Sequence, residues 1–360
     1  MPRIPLPPDL VDRPFSVAEA TGAGVGGKRL RGPDLVAPHR GVRVGSERVA
    51  IHDGATNAAR PLGLASVPCL AGTGSAALAS PPAMVVDRAL ALQPVMLNGW
   101  VFSHTTALAL WGLPVPLRVS TGIEPLHVST SVGRGPRRPG VVGHRSAPTR
   151  LSEPMRLDVS SSALPRTENS IRRELPVDDP LSAWARSGAL LTVDELVRVG
   201  DSLAGSWSPH AEARERPIDD LVAAIAAVGR VPGAGRVRAA LEFVRSGVES
   251  PRETDLRLLL VRAGLPEPEI NQPTYDASGR YLGKPDLRYR WCKVAIEYEG
   301  DEHRLDRRRF RNDILRRERF ADAGWRTVRC TGDDLDGRRA AELIARVERL
   351  LLRGDSLRCH

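Results

Sequence analysis

Apolar residues recur along this chain with two periods, one of three to four residues and one of two, and the stretches carrying each period divide it into helices and strands. Over 13–45 the expected order is a short helix, a turn, a second helix and a hairpin, with Ser16 and Glu19 spaced as a capping box ahead of the first helix. A helix capped by Ser103 runs to Trp111, and LHVSTSV (126–132) and GVVGHR (140–145) read as strands joined by a basic turn, RGPRRPG. Residues 53–83 and 146–178 follow neither period and are expected to be irregular. Helical periods return at 180–187, 192–204, 217–228 and 235–246, with Asp194 and Glu195 in a first turn, where the helix dipole favours acids.

Ser250-Pro251-Arg252-Glu253 combines a cap, a proline at the first helical position and an acid at the third, so a helix is expected over 251–263, ending at Gly264. Strands are expected near 269–276, 285–291 and 293–299, with a turn at Ser278-Gly279. A helix over 305–323 stops at Gly324, a strand covers 325–330 and an amphipathic helix fills 335–352. This αβββαβα order is the core order of restriction-endonuclease-like folds, and other α+β domains share it. The chain is therefore expected to be of α/β (α+β) class in three parts. These are a winged-helix and small α/β domain over 1–150 with an insertion at 53–83, an irregular and helical connector over 151–248, and a restriction-endonuclease-like domain over 249–354.

Alternation along KVAIEYEG puts Val294, Ile296 and Tyr298 on one strand face and Ala295, Glu297 and Glu299 on the other. A tight hairpin brings Asp286 beside Glu297, so three acids gather. Such a gathering raises their pKa values unless a cation is supplied, and either Mg²⁺ or the abundant arginines can supply it. His303 follows where the strand gives way to a loop. Beyond it, Arg304, Arg307, Arg308, Arg309, Arg311, Arg316, Arg317 and Arg319 outnumber Asp306, Asp313 and Glu318, while Phe310, Ile314 and Phe320 form the buried stripe. Those arginines either track a phosphate backbone or make a solvated face. The same alternatives hold for Lys28, Arg29 and Arg31 on the second helix and for Arg40 and Arg43 in the hairpin.

Charge changes the picture little. There are 52 Lys and Arg against 43 Asp and Glu in 360 residues, a net +9 that favours polyanionic partners. Cys69, Cys292, Cys330 and Cys359 make no ligand cluster, and His104, His127 and His144 have no ligand-like spacing and read as structural or surface residues. With no apolar signal core or span, a cytoplasmic protein is expected.

The runs SPRETDLRLLLVRAGLPEP, KPDL, KVAIEYEGDEH and RRERFADAGWRTVR resemble the very-short-patch-repair-like endonuclease domains of the PD-(D/E)XK superfamily, over about 249–352. The resemblance implies that Asp286 is the motif Asp and Glu297 its second acid. It also implies that Glu299-Gly300 with His303 is the acid-Gly…His signature, and that Glu253 is the helical Glu supporting the metal site. One departure stands out: Glu299 replaces the usual motif Lys, which leaves transition-state stabilisation to His303, an arginine or the metal, with Lys284 as a possible substitute. LPPDLVDRPFSVAEATGAGV, RLRGPDLVAPHRGVRV, HTTALALWGLPVP and RRPGVVGHR are similar to the winged-helix region of AbiEi-type antitoxins.

The expectation is thus a DNA-binding, Mg²⁺ (or Mn²⁺)-dependent endonuclease of repair or foreign-DNA defence. Asp286 and Glu297 would hold the metal, Glu299 and His303 would act on water, and Glu253 would stand behind them. Arg304, Arg307, Arg308, Arg311, Arg316 and Arg317, with Lys28, Arg29, Arg31 and Arg40, would hold nucleic acid. The alternative is a non-catalytic, antitoxin-like regulator that binds DNA or a toxin or regulatory protein; an RNA-directed nuclease is also compatible.

Overall fold

The computed structural model describes residues 4–11, 13–46, 82–146, 155–159, 173–300 and 307–356, without the side chains of 158, 159, 173, 307–314 and 354–356. The irregular insertion expected at 53–83 lies almost wholly outside them, as do Cys69, Cys359, His303 and Arg304. The fold is mixed α/β, and the chain separates into two compact units. One is built from described residues up to Leu190 with Ala223–Ala234, the other from Leu191–Val222 with Gly235 onward. The segment expected as a connector over 151–248 is divided between them.

The first unit opens with helix α1 (Pro8–Val11), strand β1 (Phe15–Ser16) and helix α2 (Val17–Gly22). The capping box forms as spaced: Ser16 Oγ accepts from Glu19 N at 3.0 Å, and the Glu19 carboxylate accepts from Ser16 N. The second helix is reduced to one 3-10 turn, Arg29–Arg31, bounded by Gly26-Gly27 and Gly32-Pro33. Strands β2 (Leu35–Val36) and β3 (Val42–Gly45) complete a three-stranded antiparallel sheet, β1-β3-β2, over Leu10, Phe15, Ala20, Val25 and Leu30.

Helix α3 (Ala83–Leu92), strand β4 (Trp100–Phe102), helices α4 (His104–Leu110) and α5 (Leu117–Ser120) and strands β5 (Leu126–Thr130), β6 (Arg137–Arg138) and β7 (Val141–Arg145) follow. Two strands stand in the stretch expected to be irregular, β8 (Met155–Val159) and β9 (Arg173–Val177), paired antiparallel. Their five-residue length and the proline inside β9 hide the alternation. The sheet order is β6-β7-β5-β4-β9-β8. The segments expected as a hairpin, β5 and β7, run parallel, because β6 pairs antiparallel to β7 and turns the chain once more. Glycine permits that turn: a Cβ on Gly143 would stand 2.6 Å from Pro136 O, and one on Gly135 would stand 2.8 Å from Gly143 Cα. Helix α6 (Pro180–Arg186) packs on α4, with Trp111 and Trp184 fully buried.

Helices α7 (Val193–Ala204), α8 (Ile218–Val228), α9 (Ala234–Leu241) and α10 (Pro251–Arg262) come next, α7 opening on a Thr192/Glu195 capping box. In the second unit, strands β10 (Glu269–Ile270), β13 (Leu287–Tyr289), β14 (Val294–Tyr298) and β15 (Arg326–Cys330) form one sheet in that order. A two-stranded hairpin of β11 (Thr274–Tyr275) and β12 (Tyr281–Gly283) is inserted before β13. Helix α11 (Arg307–Asp322) makes the crossover that the parallel β14–β15 pair requires, and α12 (Gly337–Ser356) closes the unit. The αβββαβα order is therefore present with the hairpin added.

Both faces of β14 are covered, as the alternation requires. Val294 and Ile296 pack with Leu256, Leu260, Leu343 and Val347 from α10 and α12, whereas Ala295 joins Leu282, Phe320 and Trp325 on the α11 side. Among the described residues no helix is long and apolar enough to cross a membrane.

Candidate metal and nucleic-acid site

The register Leu287↔Ile296 sets Asp286 opposite Glu297, one step further along the β13–β14 ladder and on its α11 face. Asp286 Oδ2 accepts from Tyr298 N at 2.6 Å, and its backbone carbonyl accepts from Asn271 N at 2.9 Å. Burial, repulsion from Glu253 and the nearby Glu297 raise the Asp286 carboxyl to about 7, against the partial relief given by Tyr298 N and Arg316. Burial, with two like charges beside it, thus holds this carboxyl on the edge of protonation.

Glu253 enters from the first turn of α10 and is 7% exposed. Ser250 Oγ accepts from Glu253 N at 3.2 Å, so half of the expected capping box forms. The other half does not: the Glu253 carboxylate turns to Glu249 N at 2.9 Å and Asn271 Nδ2 at 2.6 Å. Asn271 tolerates the left-handed backbone (φ 48°) that aims its amide there. Burial pushes the Glu253 carboxyl up, and these hydrogen bonds offset part of the rise.

The three-acid gathering of Asp286, Glu297 and Glu299 is not what the side chains make. Among the described residues no group of three His, Cys, Asp or Glu is arranged to hold a metal. Glu297 pairs with Arg316 at 2.5 Å, and Glu299 with Arg329 and, at 3.9 Å, Arg317. The acids that press on Asp286 are Glu253 and Glu297. Glu299 lies one turn of the pleat beyond the ladder's last acid and meets Arg329, which β15 projects on the same face.

The arginines likewise divide. Arg316 spends its guanidinium on Glu297, on Lys284 O at 3.1 Å and over the Phe320 ring, so it is an internal group before it is a phosphate contact. Lys284, the suggested substitute for the motif lysine, pairs with Glu249. The side chains of Arg307, Arg308 and Arg311 lie outside the described residues. In the N-terminal region Arg29 is held by Asp34 at 2.8 and 3.0 Å and by Ile4 O, and Arg43 by Leu30 O, whereas Lys28, Arg31 and Arg40 are exposed.

One cluster escaped the spacing argument. His104, His127 and His144, from α4, β5 and β7, meet in the first unit. The His104 and His144 rings stack at 3.9 Å, and His127 Nδ1 and His144 Nε2 share a hydrogen bond of 2.8 Å. Ser103 does not cap α4; its Oγ accepts from Ser129 Oγ at 2.7 Å and faces His104 Nδ1 at 2.9 Å. Only the parallel β5–β7 pairing assembles these residues, and sequence spacing carries no sign of it. Burial first, then mutual repulsion, lowers His104 and His127, the latter to about 4, with Arg186 adding to the effect at His104.

A histidine depressed when folded binds protons more weakly than in the unfolded chain, so its contribution is intact above about pH 6.5 and is lost as pH falls toward 4. For His127 alone the loss is on the order of 3 kcal/mol. Urea unfolding at pH 7.5 and 4.5 is expected to show it, and His127→Gln should flatten the profile. Equal pH dependence in both proteins would refute the assignment.

Two uncharacterised proteins of Mycobacterium tuberculosis, one from strain CDC 1551 / Oshkosh and one from strain H37Rv, are each 28% identical to this chain over 172 residues. The match covers 47% of this chain and 58% of each relative, so the chain spans little more than half the length of the curated relatives it matches. No family model and no solved structure matches.

Proposed function

We propose that the second unit is a Mg²⁺- or Mn²⁺-dependent endonuclease domain of restriction-endonuclease-like type acting on DNA. The observation that carries this reading is the placing of Asp286 opposite Glu297 and near Glu253, where burial first and the two acids next raise its carboxyl to about 7. The donors suit a hard divalent ion: Mg²⁺ commonly takes one or two carboxylates and leaves its remaining positions to water and phosphate, so no third protein ligand is needed. Asp286 and Glu297 would hold it. When bound, such an ion polarises the phosphodiester and lowers the pKa of water.

The chain's own residues do the rest. Tyr298 N fixes the Asp286 carboxylate, Asn271 fixes Glu253 behind it, and Arg316 and Arg317 stand where a phosphate would exchange for their carboxylate partners. Proton removal from water would fall to Glu299 or His303. The exposed Lys28 and Arg31 at the 3-10 turn and Arg40 in the β2–β3 turn of the antitoxin-like N-terminal region would add sequence-independent contacts to the backbone.

A second reading is favoured by one observation: guanidinium groups already neutralise Glu297 and Glu299. On that reading the domain is a non-catalytic, antitoxin-like regulator that binds DNA or a protein partner. Supercoiled plasmid incubated with Mg²⁺ or Mn²⁺ separates the two. Cleavage by the native chain that disappears in Asp286→Ala and Glu297→Ala is the expected result. Intact plasmid together with calorimetry showing no metal uptake, with or without DNA, would leave the regulator.

A further inference from the structure

The β11–β12 hairpin carries two tyrosines that the acidic site does not use. Tyr275 and Tyr281 are register partners across the hairpin, their rings 5.6 Å apart at 61°. They are 55% and 52% exposed, so each ring keeps about half of its surface open. We propose that this pair is a stacking platform for unpaired bases, and hence that the DNA taken by the second unit is single-stranded or locally opened. The inference rests on the DNA reading above and narrows its substrate.

The hairpin is built to hold the rings still. At its tip the Asp276 carboxylate accepts from Ser278 N at 2.9 Å, Ser278 Oγ at 2.6 Å and Arg280 N at 2.9 Å, and Gly279 takes the positive φ of 83° that closes the turn. At its base Thr274 accepts from the buried Arg288 at 3.0 Å. Leu282 is buried with Ala295, Phe320 and Trp325, while Gly283 leaves room for Arg316, whose Nε would stand 2.6 Å from a Cβ there. Rings fixed before binding lose little side-chain entropy on binding.

A cross-strand aromatic pair also stabilises the hairpin itself, and that accounts for the rings touching. It does not account for both remaining open, nor for the charges beside them. Arg280, paired with Asp276 at 3.3 Å, keeps 63% of its side chain exposed next to Tyr281 in the chain, and Lys284 and Arg316, whose partners are Glu249 and Glu297, lie nearer the acids. Aromatic faces interleaved with cations are the chemistry of single-strand binding, in which bases stack and the backbone follows the positive groups. The site is also within reach: Tyr281 and Asp286 are five positions apart in the chain, a span of no more than about 17 Å. A strand stacked on the platform is thus close enough for a neighbouring phosphate to reach the carboxylates.

The test uses the full chain and fluorescence anisotropy with a single-stranded oligonucleotide containing 2-aminopurine and with its duplex, at matched salt. Tyr275→Ala and Tyr281→Ala are each expected to weaken single-strand binding about 5- to 100-fold, with the salt slope unchanged and duplex binding held within about 2-fold. Tyr281→Phe keeps the ring and is expected to bind like the native chain, with the same quenching of 2-aminopurine, which separates stacking from misfolding. Native single-strand affinity in both alanine variants would overturn the platform and leave the DNA reading intact. So would an equal loss of single-strand and duplex binding. A native chain that binds neither form at low salt would overturn both.

Discussion

Asp201→Ala is expected to destabilise the second unit by about 3–5 kcal/mol. Asp201 on α7 and Arg257 on α10 are both fully buried and joined at 3.0 Å. Asp201 also accepts from Thr254 Oγ1 at 2.8 Å and Arg245 N at 2.7 Å, and Arg257 donates to Phe243 O at 2.7 Å and Glu267 at 2.9 Å. Removing the carboxylate leaves the buried guanidinium with only the half-exposed Glu267 as countercharge and strips Thr254 Oγ1 and Arg245 N of their acceptor, and that penalty exceeds the net value of the pair. Asp201→Leu combined with Arg257→Met removes both charges together and should recover most of the loss. Urea unfolding of the full chain, followed in the transition of the second unit, checks both. A single variant within about 1 kcal/mol of the native chain would show that the pair holds nothing together.

Asp286→Asn is expected to do two opposite things, stabilising the metal-free protein while removing the cleavage that the endonuclease proposal predicts. The folded pKa of this acid lies above its unfolded value, so the folded state keeps a proton the unfolded chain releases. Stability therefore falls as pH rises from about 4 to about 7. The cost above pH 7 is a few kcal/mol, lessened by the group's partial exposure. Asparagine keeps an oxygen for Tyr298 N and carries no charge, so the variant should melt higher than the native chain at pH 8 and show a flatter profile.

Mg²⁺ should reverse the order by stabilising the native chain, by about 2.7 kcal/mol at a hundredfold excess over its dissociation constant, and leaving the variant unmoved. Plasmid cleavage should drop at least about 100-fold. A variant that melts lower at pH 8, or that still cuts, would remove Asp286 from the centre of the site.

Part of this was legible before the fold. The alternation in KVAIEYEG assigned each residue of β14 to its face, and the Ser16/Glu19 spacing found a capping box that forms as written. Both are local rules: a two-residue pleat and a three-residue reach depend on neighbours along the chain. The same rules overreached where a distant group competed. Ser250 and Glu253 have capping-box spacing, yet Asn271 and Glu249 N hold the Glu253 carboxylate, and Ser103 prefers Ser129 and His104 to the end of its own helix.

By itself the sequence determined which residues of β14 face which way and where most of the expected helices begin and end, since periodicity and caps act over a few residues. Tertiary structure alone decided the partners: arginines rather than Asp286 beside Glu299, an arginine on Glu297, Asn271 on Glu253, and three histidines in one cluster through a parallel strand pair. Charges and hydrogen bonds choose among groups brought close by register and packing, and neither is written in the spacing of residues along one chain.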